Sequence, residues 1–455
     1  MSDGHTLHVD HDFRTGLSRA VSKATRRASN GSSPAFRRVF VRVPWTDPLL
    51  WLASQTYEDQ FFWSGRSEGR AIAGVGRVDA VEGESMRDVD RIRKQVNRIL
   101  SSAPRGVRLF GGIRFDKASS ADPDWTDFPA YRFVLPRFEL HTEGEDSLLI
   151  CNMHADEPVD GGVLQSEIEA LLEPMPDLPA IPGTVSRSDF PGRRDWIRDI
   201  DWALEAFSST TLAKVVLASM ARFEFETDVS PFTLMQRLGA EAPSCYHFLF
   251  AHGDSCFLGA TPERLFRQDG RKVESEAVAG TGSRGATEGD DQVLCDELLH
   301  SEKDQREHEY VRQSIKEALT DLNRILHVDT TARDMKLAVG RHLVSGFEGV
   351  LREDVDVFQL LDALHPTPAV GGYPHREAID VIEHIESFDR GWYSGPVGWI
   401  GADAAEFAVG IRSGRLRGRR LDLFSGAGIV CGSDPVREWD EVEQKIGDFL
   451  RVIEP

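Results

Sequence analysis

The sequence predicts an α+β fold built on large mixed or antiparallel sheets, and three observations support this prediction. From Arg38 to His154 the chain repeatedly alternates apolar and polar residues with the two-residue period of strands. Beyond that region, strand-like segments come in pairs between helices, as in YHFLFAHGDSCFLGA and RLFRQDGRKVESEA. Single strands do not alternate with single helices, as they would in a doubly wound parallel sheet.

The first part of the chain divides into a leader and a β-rich region. Residues 1–35 are rich in Ser, Arg, Gly and Asn with little apolar periodicity, so we expect a disordered leader. Residues 36–190 form the N-terminal β-rich part of the fold, with one amphipathic helix near Met86 to Leu100. The proline-rich stretch from Pro174 to Thr184 is typical of a connection between layers or subdomains.

Residues 191–455 alternate helices with paired strands. A helix is predicted from about Arg193 to Phe207, followed by a buried strand that begins with KVVLA at Lys214. A long helix is predicted to extend to about Leu326. The last helix follows Ser433, Asp434 and Pro435, which is a capping residue type with proline near the first helical position.

Composition excludes several functional classes. No apolar stretch reaches the roughly 18 residues that cross a membrane, and the polar start MSDGHTLHVD is not a signal peptide. The net charge of −21 argues against nucleic acid as a partner. Five scattered cysteines without metal or disulfide spacing indicate a reducing cytoplasm. Only nine of the 53 basic residues are lysines, so each lysine is a candidate for a role that arginine cannot fill.

Two predicted helices place carboxylates three residues apart beside an apolar face. Asp304 and Glu307 precede the apolar stripe of the long helix, while Glu438, Glu441 and Lys445 border that of the last one. Inward carboxylates cost several kcal/mol of desolvation unless a cation meets them, and Mg²⁺ is the usual cation. The alternative interpretation is two solvated helix faces with ordinary i,i+3 charges.

Lys214 and Glu263 are the candidate base and acid. Lys214 begins a strand whose apolar run predicts burial, and burial favours the neutral amine that a general base requires. Glu263 follows a strand and a Thr-Pro turn in FLGATPERLF, at the rim of a sheet. Equally, Lys214 fits a lysine that extends to solvent from a strand end, and Glu263 fits an acidic residue in a first helical turn.

Two glycine-rich turns and one loop are candidates for anion binding. AVAGTGSRG contains Gly280 and Thr281, and FSGAGIVCG contains Gly426; such turns direct backbone N–H groups at carboxylates or phosphates. Arg412 lies just upstream of the second turn and is a candidate carboxylate ligand or an ordinary surface arginine. His365 begins the loop HPTPAVGGYPH, where it either faces a pocket or serves the loop conformation alone.

Nine segments between about residues 190 and 452 resemble the chorismate-utilising enzyme family, most closely its isochorismate synthases. They occur in the family's order: KVVLA, LGATPERLF, AVAGTGSRG, SEKDQREHEYV, HPTPAVGGYPH, YSGPVGW, VGIRSGRL, FSGAGIV and EWDEVEQK. The resemblance implies an anthranilate synthase component I-like fold, layered α/β/β/α with two large antiparallel sheets. It also makes residues 191–455 the chorismate-binding catalytic part.

The resemblance implies a role for each matching residue. Lys214 matches the base that activates water for attack at C2 of chorismate, and Glu263 the acid that protonates the departing C4 hydroxyl. The implied binding roles are direct Mg²⁺ ligands (Glu307, Glu441), ligands through metal-bound water (Asp304, Glu438), a cradle for the ring carboxylate (Gly280, Thr281, Lys445) and one for the enolpyruvyl carboxylate (Arg412, Gly426).

The implied function is therefore Mg²⁺-dependent isomerisation of chorismate to isochorismate. The length of the N-terminal half favours menaquinone biosynthesis, with siderophore synthesis as the alternative. Salicylate synthase, which eliminates pyruvate from isochorismate, is the first rival, and a non-catalytic chorismate-binding protein is a rival of another class. We expect a cytoplasmic protein, monomeric by family resemblance, without a glutaminase subunit.

Overall fold

The computed structural model describes residues 12–26, 35–66, 69–116, 122–157, 162–338 and 340–453. Up to residue 190 its elements are, in order, α1 (Phe13–Arg26), β1 (Phe36–Val43), α2 (Pro48–Ser54), β2 (Asp59–Ser64), β3 (Arg70–Val75), β4 (Asp79–Gly83), α3 (Val89–Leu100), β5 (Arg108–Ile113), a 3-10 turn (Pro123–Trp125), β6 (Tyr131–Leu135), β7 (Phe138–Glu143), β8 (Asp146–His154), α4 (Val163–Ala170) and β9 (Thr184–Phe190).

The second half contains the longer helices and strands. Its elements are, in order, α5 (Arg193–Ser209), β10 (Lys214–Phe225), α6 (Pro231–Glu241), β11 (Tyr246–His252), β12 (Ser255–Thr261), β13 (Arg264–Asp269), β14 (Lys272–Ser283), α7 (Glu288–His300), α8 (Glu302–Leu322), β15 (Asn323–Val328), β16 (Arg333–Lys336), β17 (Gly340–Leu351), α9 (Val357–Leu364), β18 (Gly372–Tyr373), α10 (His375–Ile385), β19 (Pro396–Gly401), β20 (Ala404–Val409), β21 (Ser413–Arg417), β22 (Arg420–Val430) and α11 (Pro435–Ile453).

The strands form two large antiparallel sheets, which confirms the predicted α+β class. The first sheet has 12 strands in the order β1-β8-β7-β3-β2-β11-β12-β21-β22-β10-β18, with β9 also paired to β10. The second has 10 strands in the order β15-β17-β14-β13-β20-β19-β5-β6-β4, with β16 also paired to β17. Strands from both halves of the chain enter both sheets, as in the pairs β2 with β11 and β5 with β19.

An aromatic core lies where the two sheets face each other. Phe61 on β2 of the first sheet stacks on Phe110 on β5 of the second, with ring centroids 4.2 Å apart. Trp392 packs edge-on against Phe128 and Phe257 in the same cluster. Helices α5, α10 and α11 pack against strands of the first sheet, and α7 and α8 against strands of the second. The order of layers is therefore helices, sheet, sheet and helices.

The expected disordered leader is wrong for Phe13–Arg26. These residues form α1, which packs against β1, β8 and α4, with Leu17 and Val21 fully buried. Two apolar residues at i and i+4, here Leu17 and Val21, are enough to pack one face of a helix against the core. The polar residues around them make this periodicity hard to recognise in the sequence. Residues 1–11 and 27–34 of the leader lie outside the described residues. No helix in the described part of the chain is long and apolar enough to cross a membrane.

Candidate active site

A cleft of about 740 Å³ is lined by residues from both sheets and from helices α8 and α11. The structure brings most of the predicted site residues to its walls. Those lining the cleft are Glu263, Gly280, Thr281, Glu307, Arg412, Gly426, Glu441 and Lys445. Residues up to 182 positions apart in the chain, Glu263 and Lys445, therefore meet in one place.

Caps and packing aim the two acidic helices at the cleft. The Ser301 side chain caps α8 by accepting a hydrogen bond from the Asp304 N–H, and Asp434 accepts from two N–H groups in the first turn of α11. Helix α8 packs on β14 and β17, and α11 on β22, so one face of each helix is fixed against a sheet. The spacing of three residues then places both carboxylates of each helix on that side.

Lys214 lies fully buried at the start of β10, in register with Val430 on β22. Its Nζ is 3.0 Å from Glu307 Oε1, an ion pair across the cleft wall. Nζ has no acceptor in hydrogen-bonding geometry anywhere in the described chain. Lys214 is not among the residues lining the cleft, but its partner Glu307 is, so the lysine contacts the cleft wall through Glu307.

Gly428 provides the space that the Lys214–Glu307 pair occupies. A β-carbon at this position would lie 2.5 Å from Glu307 Oε1 and 3.1 Å from Lys214 Cε. The backbone here is part of β22, so the requirement is for space and not for an unusual dihedral angle.

We therefore expect Gly428→Ala to displace both side chains. Since a shift of about 1 Å at a reacting group costs roughly a hundredfold, kcat/KM should fall by about that factor. Steady-state kinetics on the purified variant tests this expectation. Gly447→Ala is the matched control, because a β-carbon at Gly447 in α11 meets no atom within 4 Å. Near-normal turnover in Gly428→Ala would contradict this expectation, because it would show that Lys214 and Glu307 can move without loss of activity.

Glu263 has the properties of a general acid. It follows β12 through Pro262, and its residue is only 4 % exposed. Burial, assisted by repulsion from Glu276 and opposed by Lys214, raises the pKa of Glu263 to about 8. Arg66 donates paired hydrogen bonds of 2.7 Å to the two oxygens of the Glu276 carboxylate. At neutral pH Glu263 therefore carries a proton at the edge of the cleft.

The acidic side chains of α11 are neutralised by lysines. Glu441 accepts from Lys445 Nζ at 2.7 Å, and although burial opposes its charge, this ammonium holds the pKa of Glu441 below its usual value. Glu438 is almost fully buried and accepts from Lys303 Nζ at 2.8 Å. Here burial prevails over the lysine, and the pKa of Glu438 is raised.

Asp304 adds a fourth carboxyl group beside the cleft. It contacts the Ser301 hydroxyl, and its Oδ1 lies 3.5 Å from where a β-carbon on Gly280 would be. Burial raises the pKa of Asp304, and the neighbouring Glu307 adds to the effect. The four carboxyl groups thus lie close enough to repel one another, which is the charge environment that attracts a hard divalent cation.

The carboxyl groups do not converge on a common centre in this structure. Among the described residues, no three acidic, histidine or cysteine side chains are grouped closely enough to hold a metal ion. Their chemistry nevertheless fits Mg²⁺, which prefers oxygen ligands and retains water. Glu307 and Glu441 reach the cleft surface directly, whereas Asp304 and Glu438 lie behind it.

The two turns predicted to bind anions lie at the cleft, and the cationic side chains of Lys445 and Arg412 line the same cleft. Gly280 adopts φ +75°, a conformation that favours glycine and turns the chain beside Asp304. Lys445 Nζ donates to the Gly426 carbonyl at 2.8 Å, which fixes it next to the second turn. Arg412 has φ +49°, the left-handed region that is strained for a residue with a side chain. The fold tolerates this backbone strain, which indicates that the placement of the Arg412 side chain is important.

His365 differs from its predicted place. It caps the end of α9, with its Nε2 3.1 Å from the Phe115 carbonyl and its ring edge-on to Phe115. It is not among the residues lining the cleft; from the same loop, Ala369 and Val370 line it. The structure thus places the loop at the cleft through its small apolar residues, whereas His365 anchors the loop from behind.

Four polar residues at the cleft, one of them Ser425 on β22, were not singled out by the sequence. His342 pairs in register with Thr281, and its Nδ1 lies 3.1 Å from the Gly280 carbonyl. Burial, assisted by Arg412 and Lys445, lowers the pKa of His342 to about 3, so the ring is neutral. Tyr393 and Ser394 come from the YSGPVGW segment. A histidine within the otherwise apolar strand around HLVSG was the available signal for His342.

Comparison with known proteins agrees with the family resemblance of the sequence motifs. The sequence profile described as "Chorismate binding enzyme" matches residues 20–454. Isochorismate synthase 2, chloroplastic, of Arabidopsis thaliana is 35 % identical over 409 residues, which cover 86 % of this chain and 72 % of the relative. Isochorismate synthase MenF of Bacillus subtilis (strain 168) is 31 % identical over 473 residues, covering 98 % of each chain.

Solved structures agree with the sequence relatives. The menaquinone-specific isochorismate synthase MenF from Escherichia coli superposes with a TM-score of 0.83 at 28 % identity, covering 96 % of this chain and 100 % of that one. Anthranilate synthase component I from Streptococcus pneumoniae shares the fold, with a TM-score of 0.66 at 20 % identity over 93 % of this chain and 94 % of that one. This chain is therefore an enzyme of the chorismate-binding family, and it groups with the isochorismate synthases of that family.

Proposed function

We propose that this enzyme converts chorismate to isochorismate through an acid and a base on one cleft. The observation that carries the proposal is the pair of buried groups, Lys214 and a protonated Glu263, beside a surface rich in anion-binding groups. In its neutral form, the Lys214 amine takes a proton from water as the water oxygen bonds to C2. Both conjugated ring double bonds then shift, from C1=C2 to C1=C6 and from C5=C6 to C4=C5, as the C4–O bond breaks and Glu263 delivers its proton to the leaving oxygen.

The substrate's two carboxylates determine the rest of the site. The backbone at Gly280 and Thr281, together with Lys445, is proposed to hold the ring carboxylate, and Arg412 with Gly426 the enolpyruvyl carboxylate. Support comes from their common position on the cleft and from the two strained or glycine-only conformations there. Fixed donors of this kind orient the dianion before any bond changes.

Mg²⁺ is the proposed cofactor, with Glu307 and Glu441 as direct ligands and Asp304 and Glu438 acting through water. When bound, the ion supplies a positive charge that neutralises a substrate carboxylate. The four carboxyl groups supply the hard oxygen donors that it prefers, and the raised pKa values of Asp304 and Glu438 fit a site that needs a further cation.

We propose a place in menaquinone biosynthesis, because MenF proteins are among the relatives that match nearly their full length. Isochorismate synthase EntC of Escherichia coli (strain K12) matches 59 % of this chain. We propose a cytoplasmic monomer that works without a glutaminase subunit, since water and not ammonia is the nucleophile.

Incubation of the purified protein with chorismate tests the proposal. With Mg²⁺ we expect isochorismate without stoichiometric pyruvate, and with EDTA no turnover beyond the uncatalysed rate, because the ion that would neutralise a substrate carboxylate is then missing. Chromatography resolves isochorismate, salicylate and pyruvate. Salicylate with pyruvate would identify a salicylate synthase instead, and binding without turnover would identify a chorismate-binding protein.

A further inference from the structure

Three lysines at the cleft each neutralise a different acidic residue. The distances from Nζ to the carboxylate oxygen are 3.0 Å for Lys214–Glu307, 2.8 Å for Lys303–Glu438 and 2.7 Å for Lys445–Glu441. The whole chain has only nine lysines, so one third of them are committed to these three pairs. Most positive charges in this protein are arginines, so the presence of three lysines around one cleft needs a physical explanation.

The pairs explain why the carboxylates are spread apart. Each lysine attracts one acidic side chain towards itself, and among the described residues the acidic groups accordingly form no cluster of three around a common point. A divalent cation needs several oxygens at about 2.1 Å from one centre. The acidic residues must therefore turn away from their lysines before they share an ion.

Resting on the proposed function, we propose that Lys303 and Lys445 are internal counter-ions that Mg²⁺ displaces, so that metal binding releases their ammonium groups. The exchange keeps the buried carboxylates neutralised in both states, because one divalent ion replaces two single charges. Lys445 lines the cleft. Once released from Glu441, its ammonium can turn fully to an anionic substrate. Metal binding thus also prepares the carboxylate cradle.

Lys303 is a better position for a test than Lys445. Both are proposed to be displaced by the metal, but only Lys445 is also proposed to bind the substrate carboxylate. Its side chain is 44 % exposed and it is not among the residues lining the cleft, whereas its partner Glu438 is only 2 % exposed. Lys303 Nζ donates a hydrogen bond of 2.8 Å to Glu438 Oε1. Removing this ammonium leaves Glu438 without its counter-ion and open to a metal.

The experiment measures metal affinity without any turnover. Mn²⁺, which takes the same hard oxygen ligands, is titrated into the protein and its free fraction is read from the EPR signal. We expect Lys303→Met to bind Mn²⁺ about five- to tenfold more tightly than wild type, the range that the loss of one half-exposed ion pair allows. Lys316→Met is the matched control, since Lys316 is an exposed lysine further along the same helix.

A second pair of variants separates exchange from simple long-range charge. In a Glu438→Gln background, Lys303→Met should give less than a twofold gain, because the lysine has no carboxylate left to block. Equal affinities for wild type and Lys303→Met, no Mn²⁺ binding by either, or the same gain with Lys316→Met or without Glu438 would overturn the proposal. The product assay on wild type is independent of these titrations, so failure of the exchange and failure of the isochorismate proposal are distinguishable.

Discussion

Replacing Lys214 by methionine is expected to lower kcat for isochorismate formation by about a thousandfold, within the range that a lost general base gives. The amine lies 3.0 Å from Glu307 Oε1, and among the described residues it has no acceptor in hydrogen-bonding geometry. Methionine fills a similar volume in the strand, so packing changes little. Chromatographic rate measurement at saturating chorismate and Mg²⁺ gives the value.

Lys214→Arg distinguishes a base from a structural cation. Arginine preserves the positive charge beside Glu307 but does not release a proton near neutral pH. We expect this variant to be as inactive as Lys214→Met while unfolding at a temperature close to that of the wild type. If Lys214→Arg retained more than about a tenth of wild-type kcat, the lysine would be a counter-ion and the base would have to be sought elsewhere.

The sequence predicts the local parts of this site well because each depends on neighbours in the chain. Asp434 caps the last helix as its residue type predicts, and Ser301, of another common capping type, caps α8. The spacing of Asp304 and Glu307 alone places them on one face. In the same way, the apolar run after Lys214 predicts the buried strand β10 on which that lysine lies.

What the sequence did not predict depends on contacts between distant segments. Lys303 meets Glu438 across 135 positions, and His342 meets Gly280 across 62, and neither contact has a local signature. The loop sequence HPTPAVGGYPH leaves open whether His365 faces a pocket or serves the loop conformation, and only the fold shows that its ring packs against Phe115. The pairing of β2 with β11 likewise joins the two halves of the chain in one sheet through non-local contacts.

Glutamine in place of Glu263 is expected to lower kcat by about a hundred- to a thousandfold, because the amide cannot deliver a proton to the leaving C4 oxygen. In wild type the acid must be protonated, so kcat should stay level below pH 8 and fall as the pH rises through about 8. The residual activity of Glu263→Gln should lack that fall. A pH profile of kcat from 6 to 9.5 for both proteins measures the difference.

The neighbouring Glu276 offers a finer test of the same assignment. Its charge helps to raise the pKa of Glu263, so Glu276→Gln should move the fall in kcat to lower pH while leaving the proton donor in place.

The pH dependence of folding stability gives an independent readout of the same carboxyl group. With a folded pKa raised above its unfolded value, Glu263 binds more proton in the folded state, so the free energy of unfolding should decline as pH rises from about 4.5 towards 8. Glu263→Gln removes this titration, and its stability relative to wild type should improve over that interval. A fall in kcat at pH 8 that persists in Glu263→Gln would assign the proton donor to another group.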